Sequence, residues 1–150
     1  MSIRMVGIIV LHGKAYIPSL AETPSGLLLQ VGPVLVVDFE EGELADAIER
    51  TSLSHRPITP DLTREEWKKR KDPVLTATKV KSWKELAEKG ASFGLEWTSK
   101  GIRLDIPRLD RKGRWEIDPN AVTMFPSNTA IKEIVKIIIE NFNSRPGLRN

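Results

Sequence analysis

Phe93, Leu95 and Trp97 alternate with Gly94 and Glu96, turn-prone residues follow at 98–101, and Ile102, Leu104 and Ile106 then alternate with Arg103 and Asp105. A period of two on both sides of a short turn predicts an antiparallel hairpin with one apolar face. Glu96 and Arg103 fall opposite each other on its polar face, a cross-strand pair contributing roughly a few tenths of a kcal/mol. Just upstream, the Ser82 hydroxyl can accept from the Glu85 amide while the Glu85 carboxylate reaches back, a capping box that starts a helix. That helix offers Trp83, Leu86, Ala87 and then Ala91 to a core, and Gly90 marks its end.

The same patterning runs through the rest of the chain. Ile3 to Leu11 and Ala15 to Ile17 flank His12-Gly13-Lys14, a turn that predicts an opening hairpin. Leu27 to Gln30 and Val34 to Val37 read as a second extended pair, broken at Gly32-Pro33 because proline cannot donate to a ladder. A helix from Glu41 to Ser52 turns Leu44, Ala47, Ile48 and Thr51 inward, with glutamates at its start where the dipole favours them. Pro57 to Pro60 reads as a rigid loop, and Thr63 with Glu66 caps a short helix through Trp67 that Pro73 ends. Asp72 to Leu75 stands before the Ser82 helix, with a short linker between them. Trp115 to Ile117 and Val122 to Phe125 read as the last strands, the helix from Ala130 to Phe142 has a wide apolar face, and the tail Ser144 to Asn150 is expected to fray. With no repeat, low-complexity tract or linker, the expectation is a single α+β domain, a mainly antiparallel twisted sheet with the Glu41, Ser82 and Ala130 helices packed on it.

At 150 residues the chain can bury about two thirds of the surface its unfolded form exposes, and no metal or disulfide is needed to fold it. There is no cysteine, which excludes thiolate zinc sites and disulfide frameworks. The longest apolar runs, Val6 to Leu11 and Val34 to Val37, fall far short of the ~20 residues that span a bilayer. The N-terminus lacks a small-residue cleavage site and reads as a first strand rather than a signal peptide. A cytoplasmic protein with no membrane partner is expected.

A net charge of +3 hides an uneven distribution. Asp38, Glu40, Glu41, Glu43, Asp46 and Glu49 follow one another without an intervening base, whereas from Arg64 to Lys89 nine bases stand against five acids. Such a dipolar molecule can steer a charged partner to either end.

Catalytic chemistry finds little support. His12 lies in a turn and His55 in the Ser54-His55-Arg56-Pro57 loop; either could be a general base, but neither has a placed partner in the sequence. No nucleophile elbow, phosphate-cradling glycine loop or His-Glu-x-x-His motif occurs. The acids from Asp38 to Glu43 have the ligand type of a hard-cation site but not the spacing of a calcium loop, so a solvated helix start is the plainer account. Glu96 and Lys100 do not have the spacing of a metal-dependent nuclease site. Lys68-Lys69-Arg70-Lys71 resembles a nucleic-acid patch, though four bases at a helix end also suit the dipole and solubility. Of the four tryptophans, 67, 83 and 97 fall at inward positions. Trp115, between Arg114 and Glu116, reads as an exposed indole of the interface-anchor kind.

The run Lys81-Ser82-Trp83-Lys84-Glu85-Leu86, followed by Ala91 and the strand Phe93-Gly94-Leu95-Glu96-Trp97, resembles the immunity proteins of contact-dependent growth inhibition systems, the CdiI type. Further elements stand in the family's order. They are Val34 to Val37, the acidic helix Glu43 to Ile48, the Arg56-Pro57 to Pro60 loop, Pro73-Val74-Leu75, Phe125-Pro126 and the Ala130 to Phe142 helix. The likeness therefore spans residues 34–142; the first thirty residues and the basic Leu109 to Glu116 segment stand outside it. It implies a bacterial cytosolic protein that binds the C-terminal domain of an exported toxin, commonly a nuclease, and blocks it without turnover, cofactor or metal. The residues themselves put the toxin-binding surface at Asp38, Glu40, Glu41, Glu43, Asp46 and Glu49, which can imitate phosphate charge, with Trp115 as a further anchor. A nucleic-acid-binding protein using the Arg64 to Lys89 flank and a small enzyme using His12 or His55 are the alternatives. Oligomeric state is not legible.

Overall fold

The computed structural model describes residues 4–54 and 56–145. Six strands form one antiparallel sheet in the order β3-β2-β1-β4-β5-β8: β1 (Arg4–Leu11), β2 (Lys14–Glu22), β3 (Leu28–Asp38), β4 (Ala91–Thr98), β5 (Gly101–Asp105) and β8 (Val122–Phe125). Strands β6 (Arg108–Leu109) and β7 (Trp115–Glu116) pair only with each other. The helices are α1 (Glu41–Leu53), α2 (Arg64–Lys69), α3 (Pro73–Thr78), α4 (Trp83–Lys89) and α5 (Ile131–Asn143). The α+β architecture is the expected one.

Strand alternation distributes the apolar side chains over both faces of the sheet. Val6, Ile8 and Val10 point to one face with Ile17, Phe93, Leu95, Ile102 and Leu104, where α1 brings Leu44 and Ile48 and α5 brings Ile134, Val135 and Ile138. Each fully buried Ile, Leu or Phe contributes ~1.5–3 kcal/mol, so this is the principal core. Helices α1 and α5 run antiparallel over it, since Phe39 just before α1 meets Phe142 near the end of α5 edge-on, ring centroids 5.0 Å apart. Ile9 and Leu11 point to the other face, where Val74 of α3 and Leu86 of α4 complete a smaller cluster with Tyr16, Trp83 and Trp115. Four fully buried residues hold that side against eighteen on the first. Its helices therefore depend more heavily on their half-buried aromatic contacts.

Several expectations need correction. Leu27 to Gln30 and Val34 to Val37, apart from Leu27 itself, are parts of one strand, β3, paired to β2 on both sides of Gly32 and Pro33, which drop out of the ladder where the register shifts between Pro18 and Ser19. Proline does interrupt the hydrogen bonding, but as a bulge that leaves the strand continuous. Asp72 to Leu75, read without a helix of its own, opens one: Asp72 accepts from the Val74 and Leu75 amides at 2.8 and 3.1 Å and starts α3 with Pro73 in its first turn. Trp115 and Glu116 pair with Arg108–Leu109 outside the main sheet. Glu85 does not close a capping box with Ser82, because its carboxylate accepts from the Lys81 amide instead (3.1 Å). Of the tail, Ser144 and Arg145 are described. The Arg145 guanidinium is held by Asn141 at 2.7 Å and lies 5.2 Å from the centre of the Phe93 ring. The remaining residues of that expectation, 146–150, lie outside the described residues, as does His55.

The β4–β5 hairpin is as expected, with Glu96 opposite Arg103 and an ion pair of 2.7 Å between them. Its turn is tight. Gly101 has a φ of +138°, and a Cβ there would sit 2.2 Å from the Phe125 carbonyl oxygen, so only glycine lets β8 close on β5.

The sheet also opens. Strands β1 and β2 pair only over Ile9–Leu11 and Lys14–Tyr16, after which β1 follows β4 and β2 follows β3. The gap between the two arms is a cleft of about 420 Å³ lined by Met5, Leu20, Leu35, Arg50 and Arg56 among others. The Pro57 to Pro60 loop is tied to one arm, where Glu22 donates its amide to the Pro57 carbonyl (3.0 Å) and accepts at its own carbonyl from Thr59 (2.9 Å).

Candidate functional site

The acidic residues gather around the start and outer face of α1. The Phe39 amide donates to the Gly13 carbonyl at 2.9 Å, which fixes the passage from β3 into the helix beside the β1–β2 turn. Glu40 is the N-cap, its side chain accepting from the Glu43 amide. Leu44, Ala45, Ala47 and Ile48 face the core, leaving Glu43, Asp46 and Glu49 on the solvent side. A shallow groove between this face and the start of α5 is lined by Asp46, Glu49, Ile131 and Lys132.

The fold supplies bases that the local sequence conceals. Asp38 lies opposite Lys14 across the β2–β3 ladder and is ion-paired with it. That hydrogen bond holds the Asp38 carboxyl below the usual range and raises the Lys14 ammonium. Asp46 pairs with Arg50 one turn on (3.0 Å), Lys136 of α5 approaches Glu41 at 4.0 Å, and Glu49 lies within the field of Arg4. Arg4 itself rests 4.2 Å above the Trp97 ring and donates to the Ser52 hydroxyl at 2.9 Å, and burial lowers its pKa. Exposed pairs of this kind are worth ~0.2–1 kcal/mol each, so they reduce the acidic field without cancelling it. Glu43 and Glu49 keep no ion-pair partner among the described residues.

Trp115 does not join this surface. It belongs to the cluster on the other side of the sheet and is half-buried rather than the exposed loop indole expected, because its ring packs edge-on against Trp83 with centroids 6.3 Å apart. The Trp83 indole donates to Asp72 Oδ2 at 3.0 Å, so one side chain ties together the cap of α3, the start of α4 and the β6–β7 hairpin. Trp67, expected in the core, is 45% exposed on α2, a helix with no buried residue.

Of the two histidines considered for catalysis, His55 lies outside the described residues. His12 is exposed at the β1–β2 turn with a φ of 49°. Among the described residues no group of three or more histidine, cysteine, aspartate or glutamate side chains could hold a metal ion, and no helix is long and apolar enough to cross a membrane.

No protein-family model and no curated protein matches the chain. Its fold recurs in solved structures. A protein of unknown function from Neisseria meningitidis is 9% identical, with a TM-score of 0.61 over 90% of each chain. The CdiA-CT/CdiI toxin and immunity complex from Yersinia pseudotuberculosis is matched at 11% identity and a TM-score of 0.60, over 91% of this chain and 93% of that one. At such identities the likeness is one of fold.

Proposed function

We propose that this protein is an immunity protein of the CdiI type, which binds the C-terminal toxin domain of a contact-dependent growth inhibition effector, a nuclease domain, and neutralises it in the cytosol without turnover. The observation that supports this most is the fold it shares, along about nine tenths of both chains, with a chain of a toxin and immunity complex. The run from Lys81 through the Ser82-capped α4 into β4 adds the family's order of elements to that likeness.

The surface assigned to the toxin is the outer face of α1. Glu43, Asp46 and Glu49 are presented by a helix whose other side is fixed in the core, so the charges are held in place before the partner arrives. A nuclease must attract phosphate, and a rigid row of carboxylates meets the same basic cleft and excludes the substrate. Inhibition is then occlusion, with no bond made or broken.

Co-expression in bacteria tests the proposal. The immunity reading expects a toxin domain encoded beside this protein's gene; produced alone it should arrest growth, and growth should recover when this protein is made with it. Arrest that persists at an excess of soluble, folded protein would reject the immunity reading.

A further inference from the structure

Around the smaller cluster and the adjoining α2, the fold gathers cations that the sequence scatters over forty-five residues. We propose that α2, the start of α4 and the β6–β7 turn form a docking surface for single-stranded nucleic acid, separate from the acidic face of α1 and independent of the toxin-binding reading.

Three contacts make the surface continuous. Asp72, next to Lys71, accepts from the indole of Trp83, next to Lys84. Trp83 in turn packs on Trp115. Gly113 lies so near Lys84 that a Cβ there would be 3.7 Å from its Cε, which places Arg111 and Lys112 beside that lysine. Lys68, Lys69, Lys71, Lys84, Arg111 and Lys112 are all exposed, and among the described residues none of their side chains has a hydrogen bond or ion pair.

Several acids of the same layer are held by local hydrogen bonds, while Glu65 and Glu88 stay exposed among the bases. Glu66 accepts from the Thr63 amide at 2.9 Å, Asp72 caps α3, and Glu85 holds the Lys81 amide and Lys89. Asp110 accepts from the amides of Lys112 and Arg114 at 2.8 and 2.9 Å. The nine-to-five excess of bases over acids between Arg64 and Lys89 thus remains at the surface, a field that a phosphate backbone complements.

Trp67 distinguishes the occupant. Arg70 donates to the Gln30 carbonyl, which pins the end of α2 to β3, and its guanidinium lies 5.7 Å from the centre of the Trp67 ring. The indole remains 45% exposed within the basic run. An acidic protein surface would need only the charge. An exposed indole among lysines adds a stacking platform for an unpaired base, which a duplex does not offer.

Intrinsic fluorescence titration with a twelve-nucleotide oligothymidylate tests the assignment. Binding at 50 mM salt with quenching is expected, weakening about a hundredfold at 200 mM if about five phosphates are contacted. Lys68→Ala/Lys69→Ala/Lys71→Ala should flatten the salt dependence. Trp67→Ala, with Trp67→Phe as a partial rescue, should weaken binding while leaving the salt slope in place. Both variants should still neutralise toxin, which keeps this test apart from that of the immunity reading. No binding by folded protein at 50 mM salt, equal affinity in the lysine variant, or polyglutamate binding as tightly as the oligonucleotide would each overturn the proposal.

Discussion

Replacing Trp83 by alanine is expected to lower the free energy of unfolding by about 3 kcal/mol, the lower end of what aromatic truncation costs in protein cores. The figure lies at that end because the indole keeps an exposed edge. It is still large, since the deletion removes packing against Trp115 and leaves Asp72 Oδ2 without its indole donor. The second cluster has only four fully buried residues, with Tyr16, Leu75 and Val80 partly buried beside them, so little there compensates. Urea unfolding followed by far-UV circular dichroism checks it. Trp83→Phe, which restores part of the ring packing but not the hydrogen bond, should recover about half of the loss. An unchanged midpoint in the alanine variant would show that α3, α4 and the β6–β7 hairpin are held by other contacts.

The second large effect is kinetic. Converting Glu43, Asp46 and Glu49 together to glutamine should slow association with the toxin domain by about tenfold or more at low salt, because long-range attraction sets the on-rate when opposite charges face each other. Raising the ionic strength should shrink the difference, since the Debye length falls to ~8 Å at 0.15 M. Glu40 is left intact because it caps α1, and its loss would mix stability with binding. Stopped-flow fluorescence at two salt concentrations reads the effect. An unchanged on-rate at low salt would move the binding surface away from α1.

These expectations differ from those the sequence alone supports, for reasons traceable to particular residues. The β4–β5 hairpin, α1 and α5 were legible because each has a clear period of two or 3.6, and the β1–β2 hairpin because His12-Gly13-Lys14 interrupts an apolar run. The Glu96–Arg103 pair follows directly from the hairpin register. Helix α3 was missed although Asp72 followed by Pro73 is itself a helix start, an N-cap acid with proline in the first turn. Trp67 was misplaced because six residues are too few for a helix to declare its inner face. The partners of Asp38 and Glu41 could not be read locally: Lys14 is twenty-four residues away across a ladder, and Lys136 belongs to a helix that only tertiary packing brings alongside. The acidic row was thus legible as a list of residues but not as a field. The grouping of Trp83, Trp115 and Asp72 depends on a hairpin lying outside the main sheet, which no spacing encodes.

An immunity protein must bind its toxin domain tightly. Calorimetric titration of the purified protein with a purified, active-site-disabled toxin C-terminal domain, sought in the gene next to its own, measures that binding. A one-to-one complex is expected, with a dissociation constant below about 10⁻⁷ M as for a specific interface of ordinary size. A titration showing no binding at micromolar concentrations, with both proteins folded, would contradict it.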